Sequence, residues 1–283
     1  MKTRPIARDV RGPIAPHEIS TKIELKDGAQ TTVHIAVHPR RTTELRVVVF
    51  PAPQRLVDWC QQTGINPALT GGFFSRQSGK PIGRLWMRGT AIDSEPFGKR
   101  WADHRGALHT LGSQIRIAPL KELPHYPVGD LLTAGPILVR DGRSLITSDY
   151  HFEGIPETWE GELDDDWTQI RAQRSAVGYD SARIWAVTCD GTSTNADKEI
   201  PGHGIPDAGL TIKELAEVMV GLGAKYALNL DGGGGSSLVF NGRLINRPRA
   251  GRHDKEYAVG EMMPSGRPIH TALTFLTKPE NLL

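Results

Sequence analysis

The hydrophobic pattern of the first hundred residues predicts mainly β-strands. Residues 32–37 alternate between apolar and polar positions, as in a strand with one buried face, and residues 45–50 form a short apolar run rich in valine. Residues 56–62 have the length and pattern of a short helix that ends near Gly64. Residues 1–20, with three prolines among charged side chains, are expected to form an irregular N-terminal arm.

The middle of the chain carries weaker strand patterns and one clear hairpin. Residues 85–87, 107–111 and 115–118 are strand candidates. Residues 131–140 and 143–146 flank Asp141-Gly142, a dipeptide typical of a tight hairpin turn. An acidic stretch at 150–169 is expected to be a solvated loop or insert; its carboxylates are Glu153, Glu157, Glu160, Glu162, Asp164, Asp165 and Asp166.

The pattern is sharpest after residue 174. Residues 175–179, 183–189 and 226–230 are predicted strands, residues 271–276 a closing strand, and Asn241-Gly242 a second hairpin turn. Between these strands, Thr211 and Glu214 form a capping box for a helix whose apolar face repeats at helical spacing. The predicted fold class is α/β, strand-rich, with a mixed sheet and flanking helices, in one domain spanning residues 1–283.

Composition and charge exclude several functional classes. Lys and Arg number 34 against 32 Asp and Glu, a net charge of +2, which argues against a nucleic-acid partner. No apolar stretch has the length of a membrane span, so a membrane partner is not expected either. Cys60 and Cys189 are too few for a disulfide framework, which favours a reducing, cytoplasmic setting.

Two aspartates at predicted strand ends are the strongest candidates for chemistry. Asp190 and Asp231 each follow a predicted strand and precede a glycine. If the two strands run parallel in one sheet, both carboxylates emerge at the same edge, where ligands bind in open α/β sheets. Such a pair can carry out acid–base work, stabilise a cationic sugar or bind a cation, whereas each aspartate alone could simply cap a turn.

The glycine-rich segment after Asp231 predicts an anion site. Residues 232–237 offer several backbone N–H groups and the hydroxyls of Ser236 and Ser237, which together could enclose a phosphate. No Lys-Ser/Thr follows, as in a nucleotide P-loop, and a hairpin rather than a helix comes next. Arg174 and Arg247 could each grip the phosphate, and His203 could act as an acid or base; the alternatives are surface arginines and a loop histidine.

Taken in order, these motifs resemble the phosphodiester glycosidase family. The core of the resemblance is the strand at 227–230 with Asp231 and three glycines, followed by Asn241-Gly242 and residues 246–248. Its other elements are residues 71–74 with Pro81 and Gly83, residues 134–136 with Asp141-Gly142, residues 174–178, Asp190-Gly191 and residues 209–216. The resemblance covers roughly residues 65–276.

The resemblance implies hydrolysis of a sugar–phosphate linkage in a small-molecule glycosyl phosphodiester. Asp190 and Asp231 would supply the catalytic carboxylates. The remaining motif residues would bind the substrate, with the phosphate held by Arg174 and the glycine-rich segment; they are Gly71, Gly72, Phe73, Phe74, Thr211, Asn229, Gly232, Gly233, Gly234, Ser236 and Arg247. Thr211 could equally be only a helix cap.

The chain departs from the family pattern at three positions near the expected pocket. Thr70 replaces the usual Asn, Thr192 the usual Arg, and Gly235 the usual first Ser. Two other functions therefore stay open. One is a phosphodiesterase in which Asp190 and Asp231 hold Mg²⁺ or Ca²⁺ and water attacks phosphorus. The other is a binding module for phosphorylated glycans without catalysis.

Overall fold

The computed structural model describes residues 15–75, 77–98, 102–147, 153, 169–192, 207–251 and 254–278. Three β-sheets and two α-helices occupy these ranges, and every pair of neighbouring strands is antiparallel. The strand-rich α/β fold predicted from the sequence is confirmed. The prediction of an irregular arm up to residue 20 is wrong at its end, because a strand begins at His17.

The central sheet has seven strands in the order β1-β2-β13-β12-β14-β10-β11. Their bounds are β1 His17–Glu24, β2 Gln30–Pro39, β10 Ile137–Arg140, β11 Arg143–Ser144, β12 Arg174–Tyr179, β13 Arg183–Cys189 and β14 Tyr226–Asn229. Side chains on both faces of β12 and β13 are buried, so this strand pair lies in the interior of the molecule.

The second and third sheets each have five strands. The second sheet has the order β16-β15-β4-β17-β3, with bounds β3 Thr43–Arg55, β4 Ala68–Thr70, β15 Leu238–Phe240, β16 Arg243–Leu244 and β17 Pro268–Thr277. The third sheet has the order β6-β5-β9-β7-β8, with bounds β5 Leu85–Met87, β6 Thr90–Ala91, β7 Gly106–Leu111, β8 Gln114–Pro119 and β9 Asp130–Thr133.

Apolar side chains from all three sheets share one core. Val177 of the central sheet, Leu69 of the second and Leu108 of the third are each fully buried in the same cluster. Helix α1, Leu56–Thr63, packs on the second sheet and ends at Gly64, whose φ of 72° gives the expected left-handed cap.

Helix α2, Ile212–Gly221, covers the outer face of the central sheet. Leu215 and Met219, both fully buried, pack there against Ala176 and Ala227. The predicted capping box is confirmed, because Thr211 Oγ1 accepts the Glu214 N–H at 3.1 Å and Glu214 Oε2 accepts the Thr211 N–H at 2.9 Å. Neither helix of the described ranges is long and apolar enough to cross a membrane.

Both predicted hairpin turns are present. Asp141 and Gly142 have φ values of 52° and 76°, and Asn241 and Gly242 have 51° and 71°. Positive φ at both central positions is the geometry of a type I′ turn, which Asn and Gly adopt most readily. Local sequence therefore fixes the connections β10–β11 and β15–β16.

The acidic stretch at 150–169 lies largely outside the described residues, but Glu153 corrects the expectation that its carboxylates are solvated. Glu153 is 8% exposed, and its carboxylate accepts the N–H groups of Gly106 and Ile137. It thus joins the third sheet to the central sheet. The two cysteines are also buried, and both are free thiols.

A buried carboxylate also joins the second and third sheets. Asp130 of β9 has no exposed surface and accepts the Nε of Arg46 in β3 at 2.6 Å. The same carboxylate accepts the backbone N–H groups of Val47 at 3.0 Å and Arg88 at 2.6 Å. Removing it would leave the N–H groups of Val47 and Arg88 without their acceptor, and Arg46 with Glu44, at 3.2 Å, as its remaining carboxylate partner among the described residues.

We expect Asp130→Ala to lower the free energy of unfolding by about 3–5 kcal/mol, because two backbone N–H groups lose their buried acceptor and Arg46 loses its buried carboxylate partner. Urea denaturation measures the change. Asp93→Ala is the matched control, since Asp93 pairs with Lys80 at the surface and the side chains are 80% and 49% exposed; it should cost at most about 1 kcal/mol. Equal losses in the two variants would contradict the assignment.

Candidate functional site

The two candidate aspartates lie at the same edge of the central sheet. Strands β13 and β14 both pair antiparallel with β12, which lies between them, so they run parallel to each other. In the register, Arg174 is opposite Cys189, and Ala176 is opposite Asn229. Asp190 and Asp231 therefore follow their strands at one end of the sheet, as the sequence predicts, although the two strands are not neighbours.

Asp190 is buried, and both of its carboxylate oxygens have partners. It is 3% exposed, with Oδ2 at 3.0 Å from His34 Nε2 and Oδ1 accepting the Arg247 N–H at 2.7 Å. The other ring nitrogen of His34, Nδ1, lies 2.8 Å from Ser20 Oγ. These contacts tie strand β2 to the segment after β16 and leave Asp190 poorly placed to touch a substrate.

Asp231 is more accessible than Asp190. Its backbone N–H donates to Gly71 O at 2.9 Å, which brings the two glycine-rich segments of the sequence together at this edge. Its carboxylate lies directly against Gly235, where a Cβ atom would collide with Asp231 Oδ2. The glycine that replaces the usual serine thus makes room for the carboxylate.

Several backbone N–H groups of the glycine-rich segment are not available to a ligand. This corrects the expectation that these amides together enclose a phosphate. Residues Gly233–Gly235 form a 3₁₀ turn, and the N–H of Gly233 donates to Gln173 O at 2.9 Å. The N–H groups of Gly235 and Ser236 donate within the turn, each at 3.1 Å. Three of the six amides of residues 232–237 are therefore already used within the protein, which leaves fewer of them for a ligand.

Arg174 is an interior residue, although the sequence suggests a phosphate ligand. It is 1% exposed, and its guanidinium donates to the carbonyls of Leu210 at 3.1 Å and Ile170 at 2.9 Å. Burial lowers its pKa to about 10, so the group stays charged at neutral pH. Its contacts hold the chain that leads into α2.

Arg267 is the cationic side chain that lies against the glycine turn. A Cβ at Gly234 would come within 2.6 Å of Arg267 Nη2 and 3.0 Å of Arg249 O. The guanidinium is bound by Asp254, with Nε at 2.6 Å from Oδ1 and a second contact from Nη2 to Oδ2. The sequence alone does not identify Arg267, because its position just before the closing strand carries no motif.

Several polar side-chain atoms around this edge are buried without a hydrogen-bond partner among the described residues. Gln173 Nε2 and Asn229 Oδ1 are two of them, although Asn229 Nδ2 donates to Gly135 O at 2.9 Å. The others here are the hydroxyls of Ser175, Thr192, Ser236 and Ser237. Unsatisfied polar groups are costly in a protein interior, so a concentration of them indicates a site for a polar ligand.

The first glycine pair packs against the closing strand β17. Gly71 N–H donates to Thr271 O, and Gly72 N–H to Thr271 Oγ1, both at 2.9 Å. Phe73 is 3% exposed and belongs to the core, whereas Phe74 is partly exposed. The ring of Phe74 lies 4.7 Å from that of His270, and burial lowers the pKa of His270. His270 is a second residue that the sequence does not reveal.

Three further residues that the sequence places in the site are Thr211, Arg247 and His203. The Thr211 hydroxyl is engaged in the capping box, so its contacts are those of a helix cap. Arg247 is exposed and reaches Asp190 only through its backbone. His203 lies outside the described residues. Among the residues that the structure describes, no group of three His, Cys, Asp or Glu lies close enough together to hold a metal ion.

Curated relatives carry the name N-acetylglucosamine-1-phosphodiester alpha-N-acetylglucosaminidase. The chain is 26% identical to the mouse protein over 200 residues and 26% identical to the bovine protein over 194 residues. These matches cover 68% and 66% of this chain, but only 35% and 33% of the two relatives. The chain thus spans about a third of their length.

Solved structures share the fold. The zebrafish N-acetylglucosamine-1-phosphodiester alpha-N-acetylglucosaminidase catalytic domain, auto-inhibited by its pro-peptide, superposes with a TM-score of 0.67 at 16% identity, over 97% of this chain and 86% of that one. A hypothetical protein from Synechocystis gives 0.61 at 18% identity, over 92% and 61% of the two chains. These structures support the fold assignment alone.

A family model supplies the broader assignment. It describes the phosphodiester glycosidase domain and matches residues 63–275, which is most of the chain and includes both glycine-rich segments, Asp190 and Asp231. The ordered motifs found in the sequence lie inside this range, on or next to strands of the central and second sheets. The chain belongs to the phosphodiester glycosidase family.

Proposed function

We propose that this protein hydrolyses glycosyl-1-phosphodiesters at the bond between the anomeric carbon and the phosphate oxygen. The observation that carries the proposal is the partly exposed Asp231 carboxylate, packed over Gly235 beside a turn that touches Arg267. A carboxylate and a cation at one glycine turn match the two needs of the reaction, which are an activated water and a stabilised phosphate.

The reaction is balanced by two bond changes. Water oxygen bonds to the anomeric carbon as the bond from that carbon to the phosphate oxygen breaks, and the bonding electron pair leaves with the phosphate. Asp231 removes a proton from the water or stabilises the cationic sugar. A phosphomonoester is a good leaving group, so a strong general acid is less necessary here than in ordinary glycoside hydrolysis.

Asp190 acts as a positioning residue in this proposal. Its carboxylate is occupied by His34 Nε2 and the Arg247 N–H, which fixes the segment leading to Arg249, a neighbour of the glycine turn. The buried polar atoms of Gln173, Asn229 and Ser236 then offer hydrogen bonds to the sugar or phosphate.

We expect Asp231→Asn to lower kcat by about 10²–10⁴-fold, because the amide cannot accept a proton from water. The assay incubates the protein with a panel of sugar-1-phosphodiesters, including an N-acetylglucosamine ester as in the names of the relatives, and measures free sugar and phosphomonoester. Asp141→Asn is the matched control: Asp141 lies in the hairpin turn at the opposite end of β14, where asparagine is favourable.

The outcome of this assay separates the competing functions. With ¹⁸O-labelled water, label in the sugar supports cleavage at carbon, whereas label in the phosphate would show attack at phosphorus. Tight binding without turnover across the panel would point to a binding module. Turnover by Asp231→Asn equal to that of the native protein would overturn the assignment of Asp231.

Arg267→Lys should weaken phosphate recognition more than it slows the chemical step. Lysine keeps the charge but loses the planar fork that can bind two oxygens. We expect KM to rise about tenfold or more, in line with a charge-assisted hydrogen bond of roughly 1.5–3 kcal/mol, with a smaller change in kcat. Inhibition by inorganic phosphate should weaken in parallel, and unchanged inhibition would exclude Arg267 from the phosphate site.

Asp190→Asn should reduce kcat by no more than about tenfold, well below the loss expected for Asp231→Asn. The amide keeps the shape of the group but can accept only through one oxygen, so one of its two contacts weakens. Steady-state kinetics at several pH values check the ranking. A loss as large as that of Asp231→Asn would return Asp190 to a direct catalytic role.

A further inference from the structure

A second concave surface lies at the end of the central sheet opposite Asp190 and Asp231. It is a groove of about 490 Å³ between the turn that follows β2 and the β7–β8 hairpin, lined mainly by Arg40, His109, Gln114 and Arg116. Arg40 adjoins the start of β13, through its N–H to Ala182 O at 2.9 Å, whereas Asp190 follows the end of that strand. The strand between them has seven residues, which separates the groove from the proposed hydrolytic site by roughly 20 Å.

Arg40 is held in place, and most of its side-chain donors have no hydrogen-bond partner among the residues that the structure describes. Its Nη1 donates to the backbone oxygen of Asp180 at 2.7 Å, and the guanidinium carbon lies 4.6 Å from the ring centroid of Tyr179. These two contacts orient the planar group. A guanidinium has five N–H donors, so those that remain can face an anion.

Arg116 brings a second positive charge to the same place. It is exposed on β8, directly across the strand pair from His109, so both side chains stand on one face. Burial raises the pKa of Tyr179, while the nearby charges of Arg40 and Arg116 act to lower it. The Arg40 guanidinium lies over the Tyr179 ring, and both arginines line the same groove.

Neither positive charge is compensated within the part of the chain that is described. Arg40 and Arg116 form no ion pair there, unlike Arg46, Arg171 and Arg267, which each contact a carboxylate. The residues that line the groove include no Asp or Glu. Asp180, whose backbone oxygen binds Arg40, accepts the N–H groups of Ala182 and Arg183 with its carboxylate Oδ1.

We propose that this groove binds a phosphate-type oxyanion, either inorganic or carried as a phosphate ester by a small molecule. Arg40 supplies an oriented guanidinium group, and the exposed Arg116 supplies a second one. Two guanidinium groups suit the binding of a tetrahedral anion. The volume exceeds that of a single phosphate and leaves room for a diphosphate or an esterified group. This site is separate from the proposed catalytic edge and does not depend on its activity.

The test is a ¹⁵N–¹H NMR titration of the full chain with inorganic phosphate and with pyrophosphate at constant ionic strength. We expect saturable shifts in the amides of residues 112–116 and Arg40, with pyrophosphate binding more tightly. Arg116→Gln, at an exposed position, should weaken the affinity at these amides about tenfold. Arg40→Gln should do the same, and Arg40→Lys, which keeps the charge, should lose less.

Arg41→Gln is the matched control, because Arg41 is exposed, carries the same charge one residue away and does not line the groove. It should bind as the native protein does. The Arg267→Lys variant should also leave these shifts intact, which distinguishes the groove from the glycine turn. The proposal would be overturned if residues 112–116 showed no saturable shifts or if shifts were confined to the glycine turn. It would also be overturned if Arg41→Gln lost as much affinity as Arg116→Gln.

Discussion

The position of β12 between β13 and β14 is the constraint on which the proposed site depends. A strand paired antiparallel on both sides makes its two neighbours parallel, so their C-terminal ends meet at one edge. The glycine-rich segments then reach that edge from different sheets and are joined by the Asp231 N–H to Gly71 O hydrogen bond. If the strands that precede them ran antiparallel to each other, Asp190 and Asp231 would lie at opposite ends of the central sheet.

Buried carboxylates connect the sheets to one another. Asp130 joins the second and third sheets, Glu153 the third and central sheets, and Asp190 joins β2 to the segment after β16. Each accepts backbone N–H groups, which offsets the cost of burying its charge. In a chain with short strands and few aromatics, these polar links supply specificity that packing of apolar side chains alone would not provide.

Local signals in the sequence correctly predicted both helices and both hairpin turns, but not β1, the break between β9 and β10, or the partners of the charged residues. The capping box at Thr211 and the turns at Asp141 and Asn241 depend on residues adjacent in the chain, so pattern reasoning finds them. The burial of Glu153 and the contact of Arg267 with the glycine turn depend on residues far apart in sequence. For the same reason Arg174 looked like a phosphate ligand, although its partners are the carbonyls of Leu210 and Ile170.

The two free cysteines have a practical consequence. Cys60, on the buried face of α1, and Cys189, at the end of β13 under α2, lie in different apolar clusters, and burial raises the pKa of each thiol to about 12. Thiols that are both shielded and protonated react slowly with alkylating reagents. The two cysteines can therefore report on local opening: the alkylation rate of Cys60 follows the loosening of α1 from the second sheet, and that of Cys189 follows the loosening of the central sheet under α2.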